Sequence, residues 1–153
     1  MKTINSIVAV VMLAFLASCG GGEAKEEGSA VQAESMVKEE APAKDLGVGP
    51  VTSVDVSAPV DDALAATGLA TFEAKCTACH KMGKRFVGPD LADVVSRREP
   101  EWIMNMILNP EGMVAENEAA KALLAEYLSP MANQSLTEAE ARSILEYFRS
   151  LKK

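Results

Sequence analysis

This chain of 153 residues contains a single histidine, His80, and only three cysteines, Cys19, Cys76 and Cys79. One histidine leaves no second imidazole to serve as a distal acid or base. Three cysteines do not make a disulfide framework. A structural zinc site needs four Cys or His ligands, and Cys76, Cys79 and His80 are only three, two of them adjacent in the chain. Long apolar runs are also missing: the most hydrophobic stretch, residues 7–16 (IVAVVMLAFL), is too short to cross a bilayer. The formal charge is −7, so no basic excess suits a polyanion, and no nucleic-acid partner is expected. There is no internal repeat.

The short apolar run has another use. Lys2 precedes it, and Leu16-Ala17-Ser18-Cys19 closes it with small residues before a cysteine, which is the form of a secretory signal over residues 1–18. The pattern resembles the bacterial lipoprotein signal, and that resemblance implies that Cys19 is lipidated and becomes the first mature residue. The alternative is an ordinary signal cleaved near Ser18 that leaves Cys19 as a free thiol. Lipid on Cys19 would exceed the two hydrophobic signals that stable anchoring needs. Residues 19–47 follow, rich in Gly, Ala and Glu, and bury too little to offset chain entropy, so they read as an acidic tether. Residues 19–67 hold three lysines against ten acids, whereas 68–153 hold eleven Lys and Arg against twelve. The acidity thus belongs mainly to the tether and says little about the domain at 48–153, whose core spans about 60–153.

Within that domain stands Cys76-Thr77-Ala78-Cys79-His80, a C-x-x-C-H run. Two thiols at this spacing can add across the two vinyl groups of a porphyrin, and the next residue can offer its imidazole to the iron. A thioredoxin-like reading would need a βαβ context, and no strand run follows His80. The run therefore predicts one covalently attached haem c, held by Cys76, Cys79 and His80. A domain this short has limited apolar burial of its own, and a haem would complete its core.

The remaining pattern is all-α, with four to five short helices. Pro59, Asp61 and Asp62 open a helix that runs to about residue 75. A second covers about 99–108, begun by Pro100 and stopped at Asn109-Pro110. A third covers about 117–128, and a fourth starts at Thr137, where T-x-x-E with Glu140 forms a capping box, and continues to the C-terminus. Partial alternation in Val51 to Val56 (VTSVDV) predicts a short strand ahead of the first helix.

From these landmarks the domain is similar to the class I monohaem cytochromes c over roughly residues 60–153. Gly68 and Phe72 precede the haem motif at the spacing that in the family packs the first helix on the last, where Ile144 and Tyr147 hold the matching positions. Gly88-Pro89 followed by Leu91 resembles the loop in which a proline carbonyl accepts the proximal histidine's ring N–H. Met131-Ala132-Asn133 resembles the distal segment, so the resemblance implies His80 and Met131 as the iron's axial ligands. Met113 is the rival for the second position, while Met104 and Met106 read as core and Met82 lies too near His80. The stretch 48–59 departs from the shortest family members. Arg97, Arg98 and Trp102 are candidates to contact the haem propionates, and Lys75, Lys81, Lys84 and Arg85 to form a basic rim that steers an acidic redox partner.

The resemblance implies an electron carrier and not an enzyme. Expected partners are the membrane, through Cys19, and redox proteins such as a quinol-oxidising complex and a terminal oxidase or nitrous-oxide reductase. The expected carrier is a monomer on the outer, periplasmic side of the cytoplasmic membrane, with the outer membrane as the alternative. The rival readings are a haem enzyme or gas sensor with an open distal site, or a fixed subunit of an oxidase or reductase.

Overall fold

The computed structural model describes residues 43–152. The signal sequence at 1–18, Cys19 and the tether up to residue 42 lie outside the described residues. The domain is built from six helices: α1 (Asp62–Lys75), α2 (Val94–Arg97), α3 (Pro100–Leu108), α4 (Pro110–Glu116), α5 (Glu118–Tyr127) and α6 (Glu138–Ser150).

Caps set the helix ends. The Asp61 carboxylate accepts from the N–H groups of Ala63 and Leu64 and so opens α1. The capping box expected at α6 is present: the Thr137 hydroxyl accepts from the Glu140 N–H, and the Glu140 carboxylate accepts from the Thr137 N–H. Those bonds hold the exposed Glu140 carboxyl below the usual range. Asn109 ends α3 and at once caps α4, with Pro110 in the first helical position of the new helix. Asn117 repeats this between α4 and α5.

Helices α1 and α6 cross so closely that a Cβ at Gly68 would overlap the Ser143 carbonyl and stand 2.9 Å from the Ile144 nitrogen. One turn on, Phe72 meets Tyr147 and Phe148 at ring-centroid distances of 5.6 and 5.7 Å. Trp102, Ile103, Ile107, Ile144 and Leu145 complete this buried core. Fully buried Glu146 binds Arg142, Arg149 (2.7 and 2.8 Å) and the Asp61 N–H (2.9 Å). Burial acts to raise its pKa, but those hydrogen bonds outweigh it and hold the carboxyl below the usual range.

The strand predicted at 51–56 does not form, and no strand occurs among the described residues. This segment is extended, and Val54 and Val56 do lie half-buried with fully buried Val51. Its partner is a row of side chains rather than another strand. Glu101 accepts from the Val54 N–H (2.8 Å), Asn105 accepts from the Val51 N–H (2.9 Å) and donates to the Val51 carbonyl (2.8 Å), and Asn109 donates to the Val48 carbonyl (3.1 Å). The Met113 sulfur lies 2.9 Å from the Val48 nitrogen, and Asn117 donates to Asp45 (2.7 Å). These five residues recur every four positions through α3, α4 and α5, and they hold residues 45–54 as a strap across the helices.

Candidate functional site

The C-x-x-C-H run leaves the end of α1 in one further tight turn. Cys76 caps the helix through its N–H to the Phe72 carbonyl, and the N–H groups of Cys79 and His80 both bond the Cys76 carbonyl, at 3.1 and 2.9 Å. Half-buried Cys76, exposed Cys79 and half-buried His80 are thereby grouped at one end of the helix. Both thiols are free of any disulfide. Burial, with a smaller contribution from neighbouring Cys79, pushes the Cys76 thiol up to about 11. It is therefore a neutral thiol near pH 7, unlike the activated thiolate of a disulfide oxidoreductase.

The loop that follows turns back onto the histidine. The Gly88 N–H donates to the Cys79 carbonyl at 2.9 Å, which brings the backbone of 88–89 beside the imidazole. His80 Nδ1 lies 3.1 Å from the Pro89 carbonyl oxygen, so an Nδ1–H donated there leaves the Nε2 lone pair free for a metal. Only glycine tolerates the approach at 88, because a Cβ there would stand 2.6 Å from His80 Cε1. Asp90 steadies the loop by accepting from the N–H groups of Gly83 (2.7 Å) and Ala92 (2.9 Å).

These residues open into a largely apolar cavity. Its other walls are Trp102, Ile103, Met106 and Ile107 of α3, Leu123, Leu124 and Tyr127 of α5, the segment 129–132, and Ile144 and Phe148 of α6. Pro89, Arg97, Arg98 and Met131 all line it as well. Met113 does not: it is fully buried under the strap at 47–48. Met104 is core, as expected, whereas Met106, also read as core, reaches the cavity wall. Two thiols beside an oriented imidazole, a ring-close glycine and apolar walls on several sides fit a haem. They do not fit a bare ion, since no group of three or more His, Cys, Asp or Glu gathers at a metal-binding distance among the described residues.

The charged residues differ in how far they are committed. Arg97 donates to the Asp90 carbonyl (2.7 Å) and pairs with Asp93 (2.9 Å). Arg98 stacks on Trp102, its guanidinium carbon 4.6 Å from the ring centroid, and the Trp102 indole N–H donates to Asn117 at 3.1 Å. At the rim, Arg85 pairs with Glu126 (2.7 Å) over the Tyr127 ring, and Lys81 bonds the Thr77 carbonyl (2.9 Å) and lies over Phe86. Asn117 escaped the sequence reading. The signal that could have found it is its place in the four-residue series from Glu101.

The Cytochrome c family model matches residues 65–152. Among solved structures, a cytochrome c from Rhodothermus marinus is 46% identical with a TM-score of 0.66, the match covering 67% of this chain and 89% of that one. An engineered form of that cytochrome is 45% identical with a TM-score of 0.66, over 67% of this chain and 90% of that one. An engineered form bound to a carbene intermediate is 46% identical with a TM-score of 0.63, over 67% and 89%. No curated protein matches the chain.

Proposed function

Since the chain belongs to the cytochrome c family, we propose that it is a membrane-tethered single-electron carrier whose haem c is ligated by His80 and Met131. The chain is a monohaem class I cytochrome c, a haem-based electron carrier with covalently attached haem c, and Cys76 and Cys79 fit its C-x-x-C-H attachment motif. When bound, the haem supplies the iron that takes up and gives back the electron. The chain's own residues hold it, orient it and keep water from it.

Ligation by His80 and Met131 is supported by the grouping of Cys76, Cys79, Pro89-oriented His80 and Met131 around one apolar cavity, with the rival Met113 buried elsewhere. The Pro89 carbonyl fixes which imidazole nitrogen faces the iron. A thioether in the second axial position would fill the coordination sphere, exclude substrate and raise the potential. Apolar walls limit the reorganisation of solvent when the charge changes. Lipidated Cys19 would hold the domain on the outer face of the cytoplasmic membrane, within reach of a quinol-oxidising donor and a terminal oxidase or nitrous-oxide reductase as acceptor.

Carbon monoxide tests the closed site. The reduced protein should bind it slowly or not at all. An engineered relative bound to a carbene intermediate favours a second reading, in which the distal side admits small ligands. Rapid carbon monoxide binding by the unmodified protein would select that enzyme or sensor reading instead.

A further inference from the structure

Asn117 stands where three elements meet. Its Oδ1 accepts from the Trp102 indole at 3.1 Å and from the Ala120 N–H at 3.0 Å, while its Nδ2 donates to Asp45 of the strap at 2.7 Å. On the other side of the indole, the Arg98 guanidinium lies 4.6 Å from the ring centroid, and both Arg98 and Trp102 line the haem cavity. Arg98 differs from its neighbour. Arg97 spends its charge on Asp93 and its donors on the Asp90 carbonyl, whereas among the described residues no carboxylate or carbonyl accepts from the Arg98 guanidinium; only the Arg98 backbone N–H donates, to the Val94 carbonyl. Among the described residues, the cavity-lining cations without an ion pair are thus Arg98 and Lys75, and of these Arg98 is the one stacked on the Trp102 ring.

We propose that Asn117 is a positioning residue for the haem's potential: it fixes the Trp102 ring, the ring fixes the Arg98 cation against the cavity, and Asp45 fixes Asn117 from the strap. A cation held beside the cavity opposes the extra positive charge of oxidised iron, and so raises the potential. The same direction holds if Arg98 instead neutralises a haem carboxylate. A side-chain amide can do what a simple cap cannot. Its one oxygen serves the helix N-terminus and the indole together, and its nitrogen is still free for the strap. The segment that leads out of the domain toward the tether would therefore contribute to the energy of the electron without touching the haem. This inference rests on the haem lying in the cavity, and not on Met131 being its ligand.

The test uses the haem-loaded full chain, whose one tryptophan gives one indole N–H resonance. Asn117→Ser keeps a capping oxygen for Ala120 but is too short to reach the indole, and it changes no charge. It should lower the midpoint potential and speed indole N–H exchange by roughly fivefold, about what the loss of one neutral hydrogen bond allows. Arg98→Gln should lower the potential by itself, and adding Asn117→Ser to it should lower the potential no further. Asp45→Ala is the sharper arm. Removing a negative charge on simple Coulomb grounds raises a potential, whereas loosening Asn117 lowers it, and a fall is expected. The proposal is overturned if Asn117→Ser leaves the indole and the potential unchanged, or if its effect persists in the Arg98→Gln background. It is overturned for the strap if Asp45→Ala raises the potential. Failure of the carrier reading would show separately, as carbon monoxide binding with these shifts intact.

Discussion

Gly68 of α1 and Ser143 of α6 meet backbone to backbone, and a Cβ at 68 would overlap the Ser143 carbonyl. Both contacts are main chain, so neither neighbour can swing aside. Gly68→Ala should push the helices apart and cost about 3 kcal/mol, at the upper end of ordinary overpacking. Guanidinium unfolding of the haem-loaded protein would show the loss. A midpoint unchanged from the parent would mean that the crossing is looser than its geometry.

Asn105 makes three bonds to the strap from a fully buried position: two through its amide nitrogen, to the Leu46 and Val51 carbonyls, and one accepted from the Val51 N–H. Asn105→Leu keeps the branching at Cγ, adds some bulk, and removes every one of them. Buried backbone groups left without partners cost about 1 to 3 kcal/mol each. The variant should lose about 3 kcal/mol, and protease should cut within 45–54 ahead of global unfolding.

Much of this architecture could be read from the amino acids, and the failures share a cause. Asp61, the Thr137–Glu140 box, and the approximate spans of α1, α3, α5 and α6 are local signals, which the structure keeps. Two helices were not anticipated. α2 has only four residues, too few for a period, and Asn109-Pro110 was read as a stop when it also starts α4. The strand at 51–56 was misread because its alternation is real but its partner is remote: the hydrogen bonds come from side chains at 101, 105 and 149. At the site, Cys76, Cys79, His80, Gly88 and Pro89 were legible because the chemistry fixes their spacing. The Trp102–Asn117 bond was not, because it depends on how two helices meet.

Glu146 sets an acid limit on stability. Its folded-state pKa lies below the ordinary value near 4.5, so its contribution is present above that value and is lost as pH falls through the depressed folded value. Glu146→Gln should flatten stability against pH in that acid range. At neutral pH it should cost about 3 kcal/mol, because Arg142 and Arg149, both mostly buried, lose their carboxylate. Urea titrations of both proteins across the acid range would measure each effect. Parallel curves would show that Glu146 carries none of the pH dependence.

Met131 and Met113 should separate cleanly. Met131→Ala is expected to remove the near-infrared sulfur-to-iron band of the oxidised protein, lower the potential, and let carbon monoxide bind the reduced iron. Met113→Ala should leave those three readings almost unchanged while costing about 2 to 5 kcal/mol, since the lost side chain is fully buried. The opposite pattern in the spectra would reassign the ligand without touching electron transfer.

Cys19→Ser should move the protein from the membrane fraction to the soluble one with its haem intact. Fractionation and mass spectrometry of the mature N-terminus would check this. A wild-type protein recovered freely soluble would remove the lipid anchor from the reading.

The row at 101, 105, 109, 113 and 117 grips main-chain atoms of the strap, save at Asp45, and a grip of that kind is blind to most of the side chains it passes. Positions such as 52, 53 and 55, which point to solvent, are therefore open to drift, insertion of a label or wholesale rewriting. The exception is Gly47, at φ +75° and with a would-be Cβ 2.8 Å from the Met113 sulfur. A comparison of variant libraries across 45–54 should show tolerance nearly everywhere except there, at Asp45, which Asn117 holds by its side chain, at Gly49 beside Asn105, and at the buried Val51, so that the strap keeps its course while its wording changes.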